Sequence, residues 1–199
     1  MRLKQPKKVA FIIILLGLLI LPGCFGSDGE ETVDPTSVEQ LAFYRLVEAD
    51  DFSMQIPEDW ETITQFTSSY PTNTIVAFRN NNKDNNFLAN INIVRNTVEE
   101  GTTSADYALE TFGAISGQLI NYKLHDQQEI DLIVENTTTI TYLYEFEGTN
   151  DPTTEVVQFI QLYAVKGTNG YIITGTYKND DSELSIDQVK QSMPTFQLK

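Results

Sequence analysis

The chain has one cysteine, one histidine and one tryptophan among its 199 residues, and few basic side chains. Each scarcity excludes something. A lone cysteine forms no intramolecular disulfide, so an exported copy would be cross-linked, reactive or modified. One histidine and one cysteine are too few for the usual zinc, haem or iron–sulfur ligand sets, so no cofactor is expected. No Gly-x-Ser-x-Gly segment accompanies His125, which excludes the usual nucleophile elbow. Thirteen Lys and Arg against 28 Asp and Glu disfavour nucleic acid and anionic lipid surfaces as partners.

The bases that are present are unevenly placed. Arg2, Lys4, Lys7 and Lys8 precede Val9–Leu21, 13 residues without a polar side chain. That run suits a secretory signal and is short of the roughly 20 apolar residues needed to span a bilayer. It ends in Leu21, Pro22, Gly23 and Cys24. This junction resembles the lipobox of bacterial lipoproteins, with an aliphatic residue three places before the cysteine and a small one just before it. Pro22 departs from the usual Ala or Ser. The resemblance implies cleavage before Cys24 and lipidation of Cys24. It places the chain on a cell membrane, lipid-anchored, with its domain on the extracytoplasmic face. An uncleaved anchor helix and an ordinary signal peptide are the competing readings. In either, the basic flank stays in the cytoplasm.

Three segments follow: residues 1–23 as signal peptide, 24–35 as flexible tether and 36–199 as one globular domain. Removing 23 residues takes four bases and no acids, which leaves 9 bases against 28 acids. The anchoring then falls to the lipid, because the protein surface would be repelled by anionic head groups. Two acyl chains suffice for stable attachment.

Within the domain, overlapping capping boxes at Thr36–Glu39 and Ser37–Gln40 predict a short helix through Ala42. Phe52, Met54 and Ile56 alternate with Ser53 and Gln55 as in a half-buried strand. Short strands are expected near Ile63–Phe66, Ile75–Arg79 and Phe87–Arg95, the last with Ile91 and Ile93 opposite Asn90 and Asn92. The Asn80–Asn86 segment reads as an exposed loop. Ser104 is the expected cap of a helix with its stripe at Ala105, Ala108, Phe112, Ile115 and Leu119. Gly113 and Gly117 suggest close packing of that helix on a sheet. Four strands follow near residues 121–132, 137–147, 154–165 and 171–177. A last helix over Ser182–Met193 turns Ile186, Val189 and Met193 inward, with a capping box at Ser185 and Gln188. Short connections make the pairing antiparallel. The fold class expected is an α+β or α/β/α sandwich, a central, mostly antiparallel sheet flanked by helices.

The Phe52–Trp60 segment, the Val76-Ala77-Phe78 strand before Asn90–Val94, the Ser104 helix, the Tyr171–Thr174 strand and the closing helix together resemble the PsbP/Mog1-like superfamily. Members include bacterial lipoproteins, photosystem II accessory proteins and a binder of a small GTPase. One fold hosting several roles implies no particular partner. The function expected is a non-catalytic binding or accessory module with a protein or small-molecule partner. A lipid or solute carrier and a carboxylate-based hydrolase are the alternatives. His125 reads as a strand residue and Trp60 as a core plug. Ca²⁺ ligation by the Asn80–Asn86 loop or by Asp180 and Asp181 lacks an Asp-x-Asp-x-Asp-Gly pattern.

Overall fold

The computed structural model describes residues 41–66, 70–81 and 87–199. The predicted Thr36–Gln40 helix, the tether and Cys24 lie outside them, and Leu41 and Ala42 are not helical. The described strands are β1 (Tyr44–Glu48), β2 (Phe52–Pro57), β3 (Glu61–Ile63), β4 (Thr74–Arg79), β5 (Asn90–Thr97), β6 (Ile120–Val134), β7 (Thr137–Thr149), β8 (Val157–Lys166), β9 (Asn169–Tyr177) and β10 (Gln197–Leu198). Helix α1 is Ser104–Ser116, α2 is Glu183–Ser192, and a 3-10 turn follows at Met193–Thr195.

All the strands join one sheet in the order β1-β2-β10-β6-β7-β8-β9-β5-β4-β3. The turns explain the long hairpins. Glu135 and Asn136, at φ 51 and 61, carry the two positive φ values of the tight β6–β7 turn. Gly167, at φ 59, makes the β8–β9 turn without a Cβ penalty. Among the described strands one pair is parallel, β10 with β6.

Alternation along the strands divides the core in two. Ile160, Leu162 and Ala164 of β8 point into a large cluster with Phe52, Met54, Ile56, Phe78, Ile91, Ile173, Val189 and Met193. Tyr163 and Val165 point the other way, into a cluster with Tyr107, Ala108, Phe112, Tyr144 and Phe146. The first cluster holds residues from β2 and from β4 and β5, which are far apart in strand order. The sheet therefore curls round that core, with α2 packed on β2 and β9, while α1 lies on the opposite face over β7 and β8. Among the described residues the result is a sheet-dominated α+β fold with two helices, and not a sheet flanked by helical layers.

Several local expectations are corrected. Thr103, not Ser104, caps α1, its hydroxyl accepting from the Asp106 N–H at 3.1 Å. Ser104 is buried, and its Oγ accepts from the Val165 N–H at 2.9 Å, so it pins the helix to β8. Ser182, not Ser185, caps α2. Gly113 and Gly117 are exposed. A Cβ on Gly113 would meet nothing within 4 Å, and one on Gly117 would meet only the helix's own carbonyls. Their face of α1 points away from the sheet.

The close approaches lie elsewhere, on β9: at Gly170, where a Cβ would stand 2.8 Å from the Tyr107 ring of α1, and at Gly175, under α2. A Cβ there would stand 2.5 Å from Val189 Cγ1 and 3.3 Å from Met193 Sδ. Val189 is fully buried and β-branched on a helix, so its rotamer is fixed and it has no room to step aside. Gly175→Ala is expected to destabilise the protein by about 1–3 kcal/mol in urea unfolding. Adding Val189→Ala should recover part of that loss. A neutral Gly175→Ala, or a double variant whose losses simply add, would contradict this seat for α2.

Candidate functional site

Helix α1 covers only part of its face of the sheet. Beyond its C-terminal end, the same face of β8, β9, β5, β4 and β3 carries Gln161, Thr174, Asn92, Asn90, Arg79 and Glu61, aligned by register. Asn92 stands opposite Thr174 and Ala77, Asn90 opposite Arg79, and Arg79 opposite Glu61. Two adjoining depressions open there, sharing Pro71 and Asn92. One, of about 290 Å³, is chiefly apolar, walled by Val94, Ile115, Leu119, Phe146, Phe159 and Ile172. The other, of about 470 Å³, is polar, lined by Glu61, Gln65, Tyr70, Arg79, Asn90 and Asn92.

The chemistry of the lining is neutral overall. Arg79 Nη2 donates to Glu61 Oε2 at 2.7 Å, with both side chains well exposed, so the pair balances its own charge. Arg79 Nε is buried with no acceptor among the described residues. Beneath the apolar chamber, the Tyr163 hydroxyl donates to Gln161 Oε1 at 2.6 Å, and Gln161 Nε2 donates to Thr174 Oγ1 at 3.1 Å. Burial pushes the Tyr163 hydroxyl well above the usual phenol range, so it remains a donor. Asn90 Nδ2 is spent on the Leu88 carbonyl at 3.0 Å. Asn92 is half-buried at the junction of the two depressions. Its side chain is absent from every hydrogen bond resolved among the described residues.

The residues singled out from sequence lie elsewhere. Cys24 is outside the described residues. His125 sits on β6, half-exposed, with Nε2 2.8 Å from Glu147 Oε2. Gln158 Nε2 also donates to Glu147, and with His125 it holds that carboxyl below its ordinary range. Asp151 is lowered by the Thr153 N–H and hydroxyl, and Glu155 by Lys178. Trp60 is 2% exposed and donates from Nε1 to Gln188 Oε1 at 3.1 Å, tying β2's exit to α2. Of the Asn80–Asn86 loop, residues 82–86 lie outside the description. Asn80 is buried, contrary to the exposed-loop reading, because Nδ2 donates to Ser185 Oγ at 2.8 Å. Asp181 Oδ2 accepts from the Lys178 N–H at 2.7 Å, a turn contact. Among the described residues no group of three or more His, Cys, Asp or Glu is placed to hold a metal. No described helix is long and apolar enough to cross a membrane.

The groove residues Asn92, Gln161 and Thr174 were not signalled by sequence. Asn90 and Asn92 show as the polar side of β5, but alternation alone does not tell a solvated face from the floor of a groove.

The DcrB family model matches residues 52–195, from the buried start of β2 to the 3-10 turn after α2. The chain belongs to the DcrB family. The matched span of this DcrB-family chain includes every strand and helix that builds the groove. Its fold is PsbP-like. The solution structure of cyanobacterial PsbP (CyanoP) from Synechocystis sp. PCC 6803 is similar at TM-score 0.54 and 10% identity, covering 89% of this chain and 98% of that one. The crystal structure of PA94 from Pseudomonas aeruginosa, a protein of unknown function, is similar at TM-score 0.49 and 17% identity, covering 77% and 96%. No curated protein matches the chain.

Proposed function

We propose that this DcrB-family protein is a lipid-anchored, non-catalytic binding or accessory module on the extracytoplasmic face of a bacterial membrane. The open groove on the α1 face carries the binding half of this reading. Its lining offers amides, hydroxyls and a self-neutralised ion pair beside an apolar chamber, a set suited to recognition. The groove lies open along the sheet, which supports presentation of a ligand or partner over its enclosed transport. The carboxylates with shifted titration, Glu147, Asp151 and Glu155, are lowered, whereas a carboxylate hydrolase would need a raised one.

The Leu21–Cys24 junction after a short apolar run carries the anchoring half. Mass spectrometry of the membrane fraction should find a mature N-terminus at Cys24 bearing a diacylglyceryl group. Cys24→Ser should accumulate as an unprocessed precursor. An intact Met1 on the mature wild-type protein would decide for an uncleaved anchor helix instead. Turnover of a glycan or ester by the purified chain would sink the non-catalytic reading.

A further inference from the structure

Asn92 stands where the two depressions meet, half-buried, with neither a donor nor an acceptor group of its side chain engaged among the described residues. On one side lies a wall of aliphatic and aromatic side chains, and on the other the Arg79–Glu61 pair, Tyr70 and Gln65. The chamber, of about 290 Å³ and open to solvent, offers an apolar wall along which an alkyl chain can lie. The head region carries one cation and one anion, already paired at 2.7 Å, so it offers no net charge to a ligand. The chain's overall charge of −15 further disfavours an anionic head. Screening beyond roughly 8 Å at physiological salt leaves the balanced local pair as the deciding charge.

We propose that the groove binds a neutral single-chain amphiphile. This rests on the binding-module reading above and names its ligand class. The aliphatic chain lies in the chamber against Ile115, Leu119 and Ile172. An uncharged head bearing a carbonyl and hydroxyls sits over Asn92, whose amide donates to the carbonyl and accepts from a hydroxyl. Tyr70 and Gln65 border the same head.

The test uses the full chain purified from membranes into phosphatidylcholine nanodiscs. The probe is monodecanoylglycerol carrying a photoreactive diazirine on its chain, with empty nanodiscs as the blank. Labelling is expected on peptides containing Leu119 or Ile172. Asn92→Val suits a strand and makes the groove more apolar, yet it removes the head contacts. It should weaken labelling about tenfold, the equivalent of 1.4 kcal/mol. Leu119→Trp fills the chamber from its rim and should abolish labelling, with urea unfolding confirming that the chain remains folded.

Equal labelling of all three proteins, or labelling away from the groove, would overturn the proposal. Stronger labelling of Asn92→Val would reduce the site to hydrophobic adsorption and overturn the head assignment. Decanoate or decylammonium competing better than decanoylglycerol would overturn the neutral-head requirement. An unlabelled wild type that still captured a protein partner, lost in Leu119→Trp, would overturn the amphiphile and leave the binding-module reading standing. Labelling of a chain whose Cys24 proved unmodified would do the reverse to the anchoring.

Discussion

Phe112→Ala is expected to destabilise the protein by about 3–5 kcal/mol. Phe112 is the centre of the aromatic cluster that seats α1. Its ring stacks on Tyr144 with centroids 3.7 Å apart and planes 12° apart. It meets Phe146 edge-on at 5.3 Å and Tyr122 at 6.4 Å. Only 8% of the residue is exposed, so truncation opens a cavity between helix and sheet that rigid β7 cannot fill. Part of the loss is specific to ring geometry. A cycle with Tyr144→Ala should show a coupling of about 0.5–1.5 kcal/mol. The consequence reaches the groove, because Ile115, one turn further along α1, and Leu119, just past its end, form part of its apolar wall. Amphiphile labelling should therefore fall in Phe112→Ala even under conditions where the chain stays folded. A loss below 1 kcal/mol, or full labelling, would mean that α1 is held by something other than this cluster.

Phe112 was legible in the sequence because it recurs at helical spacing with Ala108 and Ile115, and a stripe of that kind has one way to be buried. The same holds for Val189 on α2 and for Met193 in the turn that follows it, both fully buried. Patterning was less informative where two surfaces cover one strand. Phe52, Met54 and Ile56 alternate with polar residues, yet all of β2 is buried. Gln55 lies under the chain's end, its N–H donating to Thr195 Oγ1 at 2.9 Å. The polar side of the alternation is thus an internal hydrogen-bonding layer that no local pattern distinguishes from solvent contact. Strand β1 escaped notice because Tyr44–Glu48 owes its strand state to pairing with β2 and to the turn at Phe43, whose φ of 66 is not encoded by a glycine. The groove was illegible for a similar reason. Asn92, Thr174 and Gln161 are brought together by register between β5, β9 and β8, across more than 60 positions of chain.

The least legible element has one of the largest consequences. Strand β10 is two residues long, yet it joins β2 to β6, so the sheet is continuous only through it. Gln197 and Leu198 pair antiparallel with Ser53 and Phe52 and parallel with Ile133 and Val134. The Glu135 N–H donates to the Leu198 carbonyl at 2.9 Å, and the Lys199 N–H to the Asp51 carbonyl at 3.1 Å. So short a ladder cannot hold itself; the adjacent Phe196 does. Its ring is 2% exposed, stacks on Phe52 at 5.6 Å and tilts against Tyr171 at 6.3 Å. Tyr171 in turn donates to Asp51 Oδ2 at 2.6 Å, and burial with that carboxylate pushes its hydroxyl up to about 12. The Phe196 ring is thus the wedge between the β1–β2 hairpin and the rest of the sheet. Phe196→Ala should cost about 3–5 kcal/mol in urea unfolding. It should also release β10 first, so the amides of Leu198, Lys199 and Glu135 would exchange with solvent before those of β8 and β9. Phe196→Leu, which refills most of the space, should restore much of the stability and the slow exchange. If Phe196→Ala lowered protection uniformly along the chain, β10 would be no separate latch and the hairpin would be held by the Asp51–Tyr171 contact instead.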